Sequence, residues 1–442
     1  MSTRWLPIAV LLSVAALVLA GCGAGDTASD GDAKTLSKPA AQAPLKGDVK
    51  VWSWDVAATA LKRLAPAFEA KHPGVKIDVV DIGYDNAYDK LSVGLRSGSG
   101  LPDVMTVETD RMPTYIEQFP KGFVDLAPRA KAHKADFDPS KWAASSDAAG
   151  HLFSLPWDSG TMGVFYRRDV IEQAGVDPQS IGTWDEFLRA GEQIKAKTGK
   201  KLFAMDITGG DSIFGTMLQE QGQSYFDADG RIALTTPAAV RALTVLKEMN
   251  AKGLIANEKG WDGLVTANKE GKVATAPIAV WWAGTMTSEM KDLSGKIGVM
   301  PLPDFSADGP HTSSNGGSTL AIPAQSKNPD AAWAFVSFVL ADAGNQASMM
   351  EHEGLFPSFL PALATSYFSK PQPYFGGQPI YEFFREATER IPAVDYTSDH
   401  SQAYDIARDA VAGSLLDGKD PQEALASAAK QLKSATQREI GS

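Results

Sequence analysis

The chain has 442 residues, enough for two hydrophobic cores, because a single core usually stops growing at about 250–300 residues. It is 44% hydrophobic and 21% charged, with 40 glycines and 26 prolines in no collagen-like period, which is the composition of a folded globular protein. A net charge of −11 argues against a nucleic-acid backbone as partner, and a single cysteine excludes both an intrachain disulfide and a cysteine-rich metal site.

Arg4 precedes an apolar run from Trp5 to Ala20, the charged start and apolar core of an export signal, too short and too terminal for a permanent span. The following LAGC, Leu19 to Cys22, resembles the bacterial lipoprotein processing signal. That resemblance implies removal of residues 1–21 and a lipid on Cys22 that holds the protein to the membrane without a spanning helix. The competing reading is a transmembrane anchor or a buried terminal helix with an incidental cysteine. Small, polar and proline residues from Gly23 to Lys46 have too little apolar side chain to offset their ordering entropy, so 22–46 reads as a lipidated N-terminus and flexible tether.

The body opens with a strand in VKVWSWDV (49–56), and Leu61, Leu64, Ala65 and Phe68 then recur at helical spacing. His72-Pro73-Gly74 breaks the chain before a second strand at 75–82; a helix over 88–96 and a third strand at 101–108 follow. Strands alternating with helices predict an α/β sheet with parallel neighbours. The loops after those strands carry Trp54 with Asp55, Tyr84, and Glu108 with Asp110, and the ends of parallel strands share the sheet edge where ligands usually bind. A helix cap is the competing role for Asp55, and Trp52, two residues before Trp54 on the same strand face, is a packing residue by the simpler reading.

Beyond Trp157 and Asp158, Thr183 and Glu186 are spaced for a capping box, with Trp184 packing the helix start. Further strands are predicted at 202–207, 272–282 and 296–303, with a helix over 240–249. HTSSNGGSTLAIP (311–323) reads as a polar glycine-rich loop, and the apolar AAWAFVSFVL after Asn328-Pro329-Asp330 as a helix. The last third reads as helical, including 401–412 and 421–437, with Phe383 and Phe384 in its core.

No nucleophile elbow, phosphate loop or zinc-protease motif is present, and the six histidines are well separated. Catalytic, metal and cofactor sites are therefore not expected. A glycosidase would need a pair of carboxylates across a sugar, and the sequence singles out none.

The export signal, tether and ordered segments together resemble the solute-binding lipoproteins of ATP-driven sugar importers, the broad family of maltose-binding protein. The residues that carry the resemblance are YRRDVIEQAG ending at Gly175, TWDEF from Thr183, KEGKVATAPIAVWWAG from Lys269, IGVMPLP from Ile297, and GGSTLAIPAQSKNPDAAWAFVSFVL from Gly316. It covers 48–432. It implies a two-lobed periplasmic-binding-protein-like α/β fold of type II with a hinged cleft between the lobes. The first lobe would hold 47–157 and 304–350, and the second 158–303 and 351–442. Hinge passages are expected near Trp157–Gly160, Pro301–Phe305 and Gly354–Ser358. The implied partners are a mono- or oligosaccharide and the permease subunits of the importer, with the binding protein a monomer and not an enzyme. A binding protein for a phosphorylated polyol or a peptide is the alternative, and a phosphate would call for convergent Arg or Lys.

Sugar rings present C–H faces to aromatic rings and hydroxyls to acids, amides and backbone groups. On that chemistry the ligand-facing residues are Trp54, Asp55, Tyr84, Glu108, Asp110, Trp157, Asp158, Asn315 and Gly317, and the family pattern adds Tyr396 and Tyr404 from the C-terminal region. No lysine stands beside Asp55 to mirror the charged pair that follows the first strand of maltose-binding protein. Trp281 and Trp282 end the predicted strand at 272–282. Strand parity sends them opposite ways, so at least one of Trp281 and Trp282 is expected on the ligand and the other in the core; a turn at Gly284 favours Trp282 over Trp281 for the ligand.

Overall fold

The computed structural model describes residues 33–37, 44–209, 212–394 and 396–441; Cys22 and the expected export signal lie outside the described residues. Ten strands run through it in chain order: β1 Gly47–Ser53, β2 Val75–Asp81, β3 Val104–Glu108, β4 Ser154–Pro156, β5 Met162–Arg167, β6 Phe203–Met205, β7 Ile255–Asn257, β8 Thr275–Ala279, β9 Ile297–Met300 and β10 Ser318–Ala321. The first lobe is built on a sheet of order β2-β1-β3-β10-β4. β1 pairs parallel with β2, Val49 opposite Ile77, and with β3 through Val51 and Val104. β10 lies antiparallel to both β3 and β4, with Thr319 opposite Val107 and Leu320 opposite Leu155.

The second lobe carries a sheet of order β8-β5-β9, antiparallel throughout, and a parallel pair of β6 and β7. Period-2 alternation divides each main sheet between two cores. Val49 and Val51 face Leu61, Leu64 and Phe68 of the helix Asp55–Lys71, while Met105 and Val107 of β3 face Trp54 and Ile82. In β5, Val164 and Phe165 likewise enter different cores. Each fully buried Leu, Val or Phe contributes about 1.5–3 kcal/mol.

Thr183 and Glu186 form the expected capping box on the helix Trp184–Thr198, and the Trp184 indole is buried and donates Nε1–H to Glu220 at 2.8 Å. Among the described residues, no helix is long and apolar enough to cross a membrane.

Three expectations are corrected. The loop expected at 311–323 contains β10, whose backbone pairs with β3 on one side and β4 on the other; the two glycines before it masked a short strand. The expected tether is not free throughout: Leu36 donates its amide to Asp125 O at 3.0 Å, Asp125 returns the bond to Lys34 O, and Leu36 is buried in the first-lobe core. A single leucine at the right register outweighs the polar composition around it.

The second passage between lobes also falls later than Pro301–Phe305. Asp304 donates its amide to Gly182 O and accepts from the Trp184 amide, both at 3.0 Å, which keeps that segment on the second lobe. The chain crosses instead at 313–317, beside 157–161: Met162 donates to Ser313 O and Asn315 to Gly160 O. A third strand of chain completes the set, because Ser159 donates to Phe356 O and Ser358 to Trp157 O. Phe359 then packs back on Phe137 of the first lobe, with ring centroids 5.0 Å apart.

Candidate ligand cleft

A cavity of about 770 Å³ lies where the strand ends of the first lobe, the chain crossings and the second lobe meet. From the first lobe come Trp54 and Asp55, which end β1 and begin the next helix, with Tyr84 beyond β2 and Glu108, Asp110 and Arg111 at the end of β3. The rings form one cluster: Trp54 lies edge-on to Tyr84 at 5.6 Å, and Tyr84 edge-on to Tyr88 at 5.9 Å. Glu108 holds that cluster in place. Its Oε2 accepts from Tyr84 at 3.0 Å, Tyr88 at 2.7 Å and Arg111 Nε at 3.1 Å, and the guanidinium lies 4.1 Å from the Tyr88 ring centroid.

The crossings form the floor with Asp158, Asn315 and Gly317. Asp158 is buried and accepts the Ser318 amide at 2.7 Å, so its carboxylate ties one crossing to β10. Burial pushes its pKa up. Lys141, also buried, donates to Gly316 O at 3.0 Å, and burial pushes its pKa down.

Opposite stands the second lobe. Trp281 lines the cavity, donates Nε1–H to Asn315 O at 3.0 Å, and lies 5.8 Å from Trp261, which also lines it. Trp282 does not line it: the side chain is fully buried among Met286, Met290 and Phe384. The reading that placed Trp282 on the ligand fails because β8 ends at Ala279 and the helix Trp282–Glu289 begins at once. Trp281 already has helical dihedrals, so successive side chains diverge by the helical 100° rather than by strand parity. Trp281, Thr285 and Glu289, spaced four apart, form the cavity stripe. Gly284 does not turn the chain; it sits inside this helix, where a Cβ would overlap the Glu353 carbonyl of the neighbouring helix Ala343–Glu353.

Trp157 is the other correction. It is fully buried in the first-lobe core and absent from the cavity wall, because the crossing turns its indole inward while Asp158 faces the cleft. Tyr396 and Tyr404 do line the cavity.

Sequence reasoning missed Trp261, Arg111 and His400. The first follows Gly260, whose φ of 64° starts a helix, so a Gly-Trp-Asp-Gly turn was its available signal. His400 is 7% exposed between Tyr225 and Tyr396, at 4.9 and 4.8 Å, and its Nδ1 has no partner among the described residues. Burial, then the Arg111 charge, lowers its pKa to about 3, so the ring is neutral at the cleft wall.

That value carries a stability consequence. A histidine whose folded pKa lies below its unfolded 6.5 contributes stability that is complete above pH 6.5 and is lost as pH falls, since only the unfolded state takes up the proton. Between pH 8 and 5 the loss is about 2 kcal/mol, at about 1.4 kcal/mol per unit below 6.5. Urea denaturation at the two pH values should show a His400→Phe variant losing less stability than the unaltered protein by about that amount; parallel losses would contradict a neutral buried imidazole.

Two α/β lobes, three adjacent chain crossings and an aromatic-walled cavity between them define a protein that holds a small solute between its lobes. Residues 53–346 match the family model of bacterial extracellular solute-binding proteins, and the chain belongs to that family. It is 31% identical to a lactose-binding protein of Rhizobium radiobacter over 80% of this chain and 85% of that one. It is 27% identical to an arabinooligosaccharide-binding protein of Bacillus subtilis strain 168, over 96% and 98%. Its fold is shared with an ABC-transporter-associated binding protein of B. animalis subsp. lactis Bl-04, solved in complex with β-1,6-galactobiose, at a TM-score of 0.79 and 24% identity over 88% of this chain and 97% of that one.

Proposed function

We propose that the protein is the extracytoplasmic solute-binding component of an ABC importer, capturing a mono- or oligosaccharide between its lobes and delivering it to the membrane permease. The observation that carries this reading is the pair of aromatic walls, Trp54 with Tyr84 on one lobe and Trp261 with Trp281 on the other, across a cavity of about 770 Å³. Such walls suit the two C–H faces of sugar rings, and the polar groups between them suit the hydroxyl rim. In this reading Tyr396 and Tyr404 cover the sugar from the second lobe, Asp55 and Asp110 accept from hydroxyls, and Asn315 and Gly317 present the crossing to it. Glu108 and Asp158 position their neighbours. The cavity volume favours more than one ring. Relatives that bind lactose and arabinooligosaccharides support the solute class, and a lipid on Cys22 would keep the captured sugar near the permease. The role is capture without catalysis.

A thermal-shift panel of mono- and oligosaccharides tests the proposal on the chain from Ala33, which retains the docked Leu36. Ligand at about one hundred times its dissociation constant stabilises the native state by about 2.7 kcal/mol, a shift of several degrees. Silence across the saccharides together with a reproducible shift from a phosphate compound or peptide would sink the reading, and appearance of cleaved products would replace capture with hydrolysis.

A further inference from the structure

The cavity wall is unbalanced in charge. Among its described lining residues eight are Asp or Glu, and Arg111 is the one Lys or Arg. That cation is already engaged, with Glu108 at 3.1 Å and the Tyr88 ring beneath it. His400 adds no positive charge, and Lys141 lies behind the floor with its ammonium on Gly316 O.

Three of the carboxylates stand out by position. Asp55 and Asp81 come from the first lobe, Glu289 from the second, and none forms an ion pair among the described residues. Burial, then Asp81, and more weakly Glu289, push the Asp55 pKa up to about 6, so its carboxyl senses both neighbours. One turn before Glu289 the same helix presents Thr285, which is 1% exposed and whose hydroxyl has no partner among the described residues. A neutral hydroxyl thus occupies a place where an anion site would set Lys or Arg. An anionic solute entering here would meet like charges from both sides and shed its hydration with no free cation among the described lining residues to replace it.

We infer that the cleft selects its glycans by charge, with Asp55, Asp81 and Glu289 excluding phosphorylated, sulfated and uronate-bearing saccharides while neutral and amine-bearing ones enter. This inference rests on the saccharide-binding reading and narrows it.

Calorimetric titration of the mature full chain tests it with lactose, maltose and β-1,6-galactobiose, each compared with its 6′-phosphate and its 6′-amino-6′-deoxy derivative. For the disaccharide that binds, the phosphate should bind at least about thirtyfold more weakly, and the amine within about threefold of the parent or tighter. The gap between parent and phosphate should narrow at least about fivefold in Asp55→Asn/Glu289→Gln and in 0.5 M salt, because screening weakens exposed charges. Glu289→Gln alone, on an exposed helix end, should narrow it part of the way if the double variant fails to fold. A phosphate that binds within about threefold of its parent overturns the inference and leaves saccharide capture standing. Equal weakening of phosphate and amine, unchanged by the variants and by salt, also overturns it, because the discrimination would then be steric. Binding of the phosphates with no neutral disaccharide bound would overturn the charge selection outright while leaving saccharide capture standing, whereas binding of a phosphorylated polyol or peptide and of no saccharide would overturn the saccharide reading itself.

Discussion

Replacing Trp282 by alanine should destabilise the protein by about 3–5 kcal/mol, whereas replacing its neighbour Trp281 should leave stability within about 1 kcal/mol and weaken saccharide binding at least about tenfold. The two indoles are adjacent in sequence and separated in environment. Trp282 has no accessible surface and packs beside Trp261 at 5.4 Å and among the methionines and phenylalanines of the second-lobe core, so truncation leaves a large cavity. Trp281 is only partly buried and faces the cleft, so truncation removes a platform and one hydrogen bond to Asn315 O. Equilibrium denaturation and ligand titration of the two variants separate the roles. If Trp281→Ala loses the stability and Trp282→Ala the affinity, the assignment of the cleft face is reversed.

Gly160→Ala should cost about 3 kcal/mol or more and reduce ligand affinity as well. A Cβ at Gly160 would overlap the carbonyl of Asn315, and no side chain is there to swing aside because both partners are backbone. The two crossings would have to separate, breaking the Asn315 amide bond to Gly160 O and displacing the carbonyl that accepts from Trp281. Large losses of this kind come from strain and broken buried networks rather than from surface change. Gly182→Ala is the control, because its Cβ would meet only Glu186 Oε2 at 3.6 Å and His311 at 4.0 Å, ordinary contact distances. Urea midpoints of the two variants that coincide would contradict the tight crossing.

Local chemistry was legible wherever period and capping agree. The helix Asp55–Lys71 buries the Leu61, Leu64, Ala65 and Phe68 face that its spacing marks, and Thr183 caps with Glu186 as their three-residue separation requires. The residues after β1, β2 and β3 line one cavity because parallel strands leave their C-terminal ends at one edge. Legibility stopped where tertiary contact decides. Nothing local distinguishes Trp157 in a core from Asp158 in a cleft, since a crossing has no fixed period. Trp281 and Trp282 were misassigned because strand and helix divide the same apolar run differently, and the boundary at Ala279 is set by packing. Trp261 and His400 join the cleft from segments far apart in the chain, so no spacing could announce them.

The placement of β10 bears on how the molecule is made. Among the described residues β4 joins its sheet only through β10, which also covers the edge of β3. Every residue of the second lobe up to the crossing at 313–317 must therefore leave the ribosome before the first sheet can be completed. Until then β3 offers unpaired backbone groups, a template for wrong strand pairing. This long-range closure is of the slow-folding kind. For a member of an extracellular family, such delay is compatible with crossing a membrane unfolded, and a fragment ending near residue 157 should remain unfolded or associate rather than stand alone as a lobe.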